Sequence, residues 1–166
     1  MAIIDGMLQE LDVEAQTTRK VLNLVPDEKL AWKPHEKART LGQLALHIAM
    51  IPGSIAELVS SSATTQVPKF TEPSPQTASE LVSTLDASIG KAKQLLSKMD
   101  DGAIMETWSL MNGDKEVFSL PRVAVLRTVM LNHWYHHRGQ LSVYLRELDI
   151  PIPSIYGPSA DENPFK

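Results

Sequence analysis

Three features of the sequence predict an all-α protein built as a four-helix bundle. Four segments repeat apolar residues at helical spacing, a long connection without periodicity parts the second from the third, and only one pair of runs is strand-like. Residues 3–24 place Ile4, Leu8, Leu11, Ala15 and Leu22 on one stripe, and Pro26-Asp27 ends this first helix. In "DEKLAWKPHEKART" the Lys33-Pro34 step disfavours helix, after which Thr40 can cap a second helix through about Leu58. Its buried stripe is Leu44, Ile48, Ile51, Ile55 and Leu58, and Pro52 inside the pattern predicts a kink. Residues 61–76, "SSATTQVPKFTEPSPQ", form the connection. Extended, it spans about 50 Å, more than the roughly 30 Å of a 20-residue helix. It can therefore return the chain along the bundle and leave helices two and three parallel.

Thr77-Ala78-Ser79-Glu80 matches a capping box, opening a third helix whose stripe of Leu81, Leu85, Ile89, Ala92, Leu96 and Met99 continues to Asp100. In "ETWSLMNGDKEVFSL", residues 106–120, Asn112-Gly113 lies between two short β-prone runs, which predicts a short β-hairpin with a type I′ turn before the last helix. Ser119 with Pro121 opens the fourth helix, which runs to about Leu148 and leaves residues 149–166 as an irregular tail. Gly139 within it is expected to admit a close neighbour, because glycine otherwise weakens a helix by about 1 kcal/mol relative to alanine.

Composition narrows the function. With 166 residues and 43% hydrophobic content, one domain over 1–166 can bury a core. The net charge is −4 and the basic residues are scattered, so no nucleic-acid partner is expected. Without cysteine there is no disulfide and no protein thiolate, and any metal must be held by nitrogen and oxygen. The opening "MAIIDGMLQELD" lacks a basic leader pattern, and no run of about 20 apolar residues is evident. These features predict a soluble cytoplasmic protein with no membrane partner.

Three of the five histidines fall within residues 133–137. At about 100° per residue, His133, His137, Gln140 and Tyr144 share the stripe of Leu126 and Val129, His136 lies at its edge, and Arg138 points away. Histidines at i and i+4 can present imidazoles to one point. Alone, such a pair reads as a satisfied core or surface pair. A third histidine, His47, sits on the apolar side of helix two and turns the pattern toward a divalent-metal site, whereas His35 lies in a connection. Gln140 and Tyr144 can orient a metal-bound ligand or a histidine's second nitrogen, or can be buried polar groups bonded to backbone. Trp32, Trp108 and Trp134 read as core or dimer contacts, and Arg138 as a salt-bridge partner or an anchor for the chain after helix one. The acidic residues of helices one and three lie mostly on outward faces and read as solvated.

The run "HWYHHRGQL" resembles the helix-four signature of the DinB family (DinB/YfiT-like proteins), and "LGQLALHIAM" is similar to that family's helix-two motif. "AWKP" and "YGPSADE" extend the likeness over essentially the whole chain. The resemblance implies an up-down-down-up bundle, often a homodimer, with a divalent metal on His47, His133 and His137. Three neutral imidazoles leave an open coordination position, as catalytic sites do, and a divalent charge there lowers the pKa of a water or thiol. Zn²⁺ or Ni²⁺ suits these ligands, and Fe²⁺ is compatible. Binding is expected to weaken as pH falls through about 6.5, where an ordinary histidine protonates. The resemblance further implies S-transferase, isomerase or hydrolase-like chemistry using a low-molecular-weight thiol such as bacillithiol, mycothiol or glutathione. The alternative is a non-catalytic, stress-related bundle that binds a metal or small ligand. Catalytic residues are not identified beyond Gln140 and Tyr144 as supporting groups.

Overall fold

The structure, a computed structural model, describes residues 2–69 and 71–166. Helix α1, Ile3–Leu22, starts where the Ala2 amide donates to Asp5 and the Ile3 amide to Asp101, both at 2.8 Å. A 3₁₀ turn at Asp27–Lys29 follows. Helix α2, Leu41–Ser61, begins at a reciprocal cap: the Gln43 amide donates to Thr40 Oγ1 and the Thr40 amide to Gln43 Oε1. Its Leu41, Leu44, Ala45, Ile48 and Ala49 are almost completely buried at the centre of the core.

Helix α3, Ser79–Leu96, packs along α2, and the contacts advance together: Gly42 against Pro75, Gly53 against Ser88, Glu57 to Lys91. Between α1 and α3 the order reverses, with Arg19 paired to Asp86 and Asp12 to Lys93. The expected capping box does not form. Ala78 takes the cap position without a side-chain bond, and Glu80 reaches past Thr77 to the Gln76 amide at 3.2 Å. Nor does α3 reach Asp100, which instead caps a short helix α4, Asp101–Met105, by accepting from the Ala103 amide.

Pro52 lies inside an uninterrupted α2. Ser88 engages the backbone on either side of it, accepting from the Gly53 amide at 2.8 Å and donating to the Met50 carbonyl at 3.1 Å. A methyl group at Gly53 would meet the Ser88 carbonyl at 2.9 Å. The close approaches are thus at Gly42 and Gly53, whereas Gly139 has nothing within 4 Å, contrary to the expectation for it.

A small sheet corrects the all-α expectation: the protein is mostly helical, with three strands in the order β1-β2-β3. β2, Thr107–Asn112, and β3, Lys115–Pro121, form the predicted hairpin. Its loop is centred one residue later than expected, at Gly113-Asp114, and only Gly113 has positive φ (61°), so the turn is not type I′. β1, Thr64–Gln66, pairs parallel to β2 within the connection expected to be structureless. Buried Trp108, set 5.9 Å from Phe118, ties the hairpin to the core. Beyond β1 the connection returns along α2: Thr65 donates to the Leu58 carbonyl, and the Glu72 carbonyl accepts from Gln43.

The last helical stretch begins after Pro121, the final residue of β3. It comprises α5, Arg122–Val125, a π-helical segment, Leu126–Asn132, and α6, His133–Glu147. The π segment is a departure from the regular helix assumed for residues 126–132. Against α2 the order of contact again reverses, from Arg122 bonded to the Val59 carbonyl to His133 beside His47. Helix α2 is long and apolar enough to span a membrane, with a mean hydropathy of 1.4, yet more than half of that stretch is buried within the protein, packed largely against α3 and α6.

Candidate metal centre

His47 projects from the second turn of α2, and His133 and His137 from the start of α6. His133 Nε2 lies 2.8 Å from His137 Nε2 and 3.4 Å from His47 Nε2, and one ligand atom from each ring falls within 4.8 Å of the other two. His136 and His35 are exposed and outside the group.

The opposite ring nitrogens fix this arrangement. His133 Nδ1 lies 3.3 Å from the Val129 carbonyl, and His137 Nδ1 lies 2.6 Å from Gln140 Oε1. These oxygens only accept, so each Nδ1 carries its hydrogen and each Nε2 turns a lone pair to the common centre. Val129 belongs to the π segment, where the ladder shifts from i+4 to i+5 partners, as often happens beside functional sites. Lone pairs so close repel unless a cation stands between them. Neutral imidazoles of this kind suit zinc, nickel, copper or iron, so the residues fit a divalent ion.

Burial keeps the rings neutral. It pushes His47 and His137 down to about 4, with the charge of Arg39 adding to the effect on both. The Gln140 bond opposes the shift in His137. His133 is also lowered by burial, partly offset by its bond to Val129. The expectation that protons compete for the site near pH 6.5 is therefore corrected downward, because an imidazolium is poorly solvated here.

The two supporting residues differ from the expected stripe. Gln140 is exposed and reaches back to orient His137, so it is not a buried group bonded to backbone. Tyr144 is half-buried, packs edge-on against Trp32 at 5.8 Å, and has a hydroxyl pKa raised by burial. Both border a cleft of about 390 Å³ that reaches His137 and is also lined by Lys37, Arg39 and Glu72. A second cleft of about 340 Å³ reaches His47 and His133 along α2 and is lined by Met50, Ile51, Ile55 and Leu58. Arg39 and Glu72 border both clefts and form an ion pair at 2.9 Å. Sequence reading missed this pair, whose members lie in separate irregular segments and belong to no local pattern.

The salt-bridge reading of Arg138 holds, and the pair it forms with Glu14 is buried. Arg138 is 1% exposed, lies 2.6 Å from the Glu14 carboxylate and donates to Thr18 Oγ1 and to the Tyr156 hydroxyl. That hydroxyl donates to Glu14 at 3.0 Å. Arg138 is thus a salt-bridge partner, and what it anchors is the C-terminal tail. Glu14 is buried and Glu10 accepts from Tyr135 and Arg127, so acidic residues of α1 are not all simply solvated. Trp108 and Trp134 are core residues, and Trp32 is half-buried.

The profile described as the DinB family matches residues 3–163. YrdA of Bacillus subtilis, named an uncharacterized protein, is 28% identical over 160 residues, covering 96% of this chain and 91% of the relative. A DinB-like protein from Bacillus cereus superimposes with a TM-score of 0.70 at 25% identity, over 93% of this chain and 98% of that one. A DinB-like protein from Bacillus subtilis, at 15% identity, shares the fold with a TM-score of 0.65 over 95% and 98%. With the family profile spanning nearly every residue, including the three converging histidines, this chain belongs to the DinB family.

Proposed function

We propose that this protein is a metal-dependent enzyme that activates a low-molecular-weight thiol for S-transfer or related chemistry. The observation that carries the reading is the convergence of three imidazoles, two of them oriented through their Nδ1 atoms, beside two clefts. His47, His133 and His137 would hold one divalent ion, Zn²⁺ or Ni²⁺ first and Fe²⁺ as a compatible third. When bound, such an ion supplies Lewis acidity that favours a thiol's anion at neutral pH. The protein's own part is to hold geometry. Val129 and Gln140 fix two rings, Tyr144 lines the cleft of His137, and apolar residues of α2 line the second cleft.

The reading includes an up-down-down-up four-helix bundle, supported by contacts that advance together between α2 and α3 and reverse in α1 with α3 and in α2 with α6. It takes residues 1–166 as one domain, active in the cytoplasm as a homodimer, without a nucleic-acid or membrane partner. Elemental analysis is expected to find about one divalent ion per chain, lost in His133→Ala and His137→Ala and retained in His136→Ala. A screen of small thiols against epoxides, activated halides and conjugated carbonyls, with and without chelator, then tests activity. Metal bound without turnover across that panel would favour the non-catalytic binding alternative.

A further inference from the structure

We infer that the histidine centre is served by two separate subsites for two different molecules: an anion subsite in the cleft of Lys37 and Arg39, and an apolar subsite along α2, parted by the Arg39–Glu72 ion pair. The clefts reach different rings, His137 from the first and His47 with His133 from the second. Their walls differ in kind. The first combines Lys37, Arg39, Gln140 and Tyr144, donors suited to a carboxylated polar molecule. The second offers Met50, Ile51, Ile55, Leu58 and Pro68 to an apolar one.

The partition is built to exchange. Only Nε of Arg39 meets Glu72, and among the described residues its two terminal amino groups have no protein partner. A guanidinium with that pair free presents the fork that binds a carboxylate in bidentate fashion. The ion pair is partly exposed, at 33% and 51%, so it contributes little net stability and yields readily to a ligand's carboxylate. Lys37 adds a second exposed cation to the same cleft. Glu57 of the apolar cleft is already paired with Lys91.

Two subsites suit a reaction that joins two molecules, whereas hydrolysis needs only one organic ligand and water. On the thiol-transfer reading, a carboxylated thiol gives its proton to solvent water, and its sulfur bonds to the electrophilic carbon of an apolar halide as the carbon–halogen bond breaks, the electron pair leaving with the halide ion. The inference rests on that reading for the reaction but not for the two clefts.

The test uses two unreactive probes, S-methylglutathione and 1-hexanol, titrated separately and together into the purified protein and followed by NMR. Both are expected to bind at once. Arg39→Gln should weaken S-methylglutathione by about tenfold or more, and Lys37→Gln, which borders only the first cleft, should weaken it and leave hexanol unchanged. Ile55→Gln and Met50→Gln should do the reverse, with circular dichroism confirming that each variant is folded. Competition between the probes, or an Arg39→Gln variant that binds S-methylglutathione normally, would overturn the proposal. Because neither probe can transfer sulfur, intact two-site binding without transferase activity would sink the thiol-transfer reading alone.

Discussion

The chemistry of single residues sets how this site responds to protons. His47 and His137 titrate at about 4 in the folded protein because burial penalises their charged forms, against 6.5 for the ordinary group. Between these values the unfolded chain binds more protons than the folded one, so stability falls as pH drops from about 6.5 toward 4. The metal-free protein should therefore melt at a lower temperature at pH 5 than at pH 7, and His47→Gln should flatten that dependence. A slope unchanged by the substitution would remove burial of this ring as the cause. Metal affinity should begin to fall at a lower pH than the 6.5 of an ordinary histidine, as equilibrium dialysis from about pH 7.5 to 4 would show, because burial lowers all three ligands. The histidines were legible from sequence because helical periodicity puts His133 and His137 on one face and His47 on the apolar side of another helix. Arg39 and Glu72 were not legible, since nothing local links residues 33 positions apart.

At the scale of elements, the same change to two glycines should have opposite effects. Gly53→Ala places a methyl group against the Ser88 backbone in the α2–α3 contact, where neither helix gives cheaply. It should cost about 1–3 kcal/mol. Gly139→Ala on the open face of α6 meets nothing and should stabilise by up to about 1 kcal/mol through helix propensity and a less flexible unfolded chain. Urea titrations of both variants check the pair, and two shifts of the same sign would contradict these packing assignments. The helical stripes of α1 to α3 were readable because apolar residues recur every three or four positions. β1 was not, because Thr64–Gln66 is a strand only through pairing with Ser109–Met111, far along the chain. The π segment was hidden for a related reason: Leu126–Asn132 carries the same apolar spacing as an ordinary helix.

For the whole molecule, Arg138 joins α1, the last helix and the tail through Glu14, Thr18 and Tyr156. Arg138→Met leaves the Glu14 carboxylate buried and unpaired, and should cost about 3–5 kcal/mol. Arg138→Met combined with Glu14→Leu should recover much of that loss. Tyr156→Phe should cost about 1–2 kcal/mol and speed proteolysis within residues 149–166; tail cleavage at the parent rate would show that the hydroxyl does not hold it. By itself the sequence determined the principal helices, the hairpin and which histidines face inward, since each follows from spacing along one element or from a turn residue. Only the tertiary structure decided that the last helix opens into a π segment, that Arg39 and Glu72 divide two clefts, and that Arg138 closes on Tyr156. Those features depend on which distant segments meet, and a contact between residues far apart in sequence is set by the packing of the whole chain rather than by the local period of its side chains.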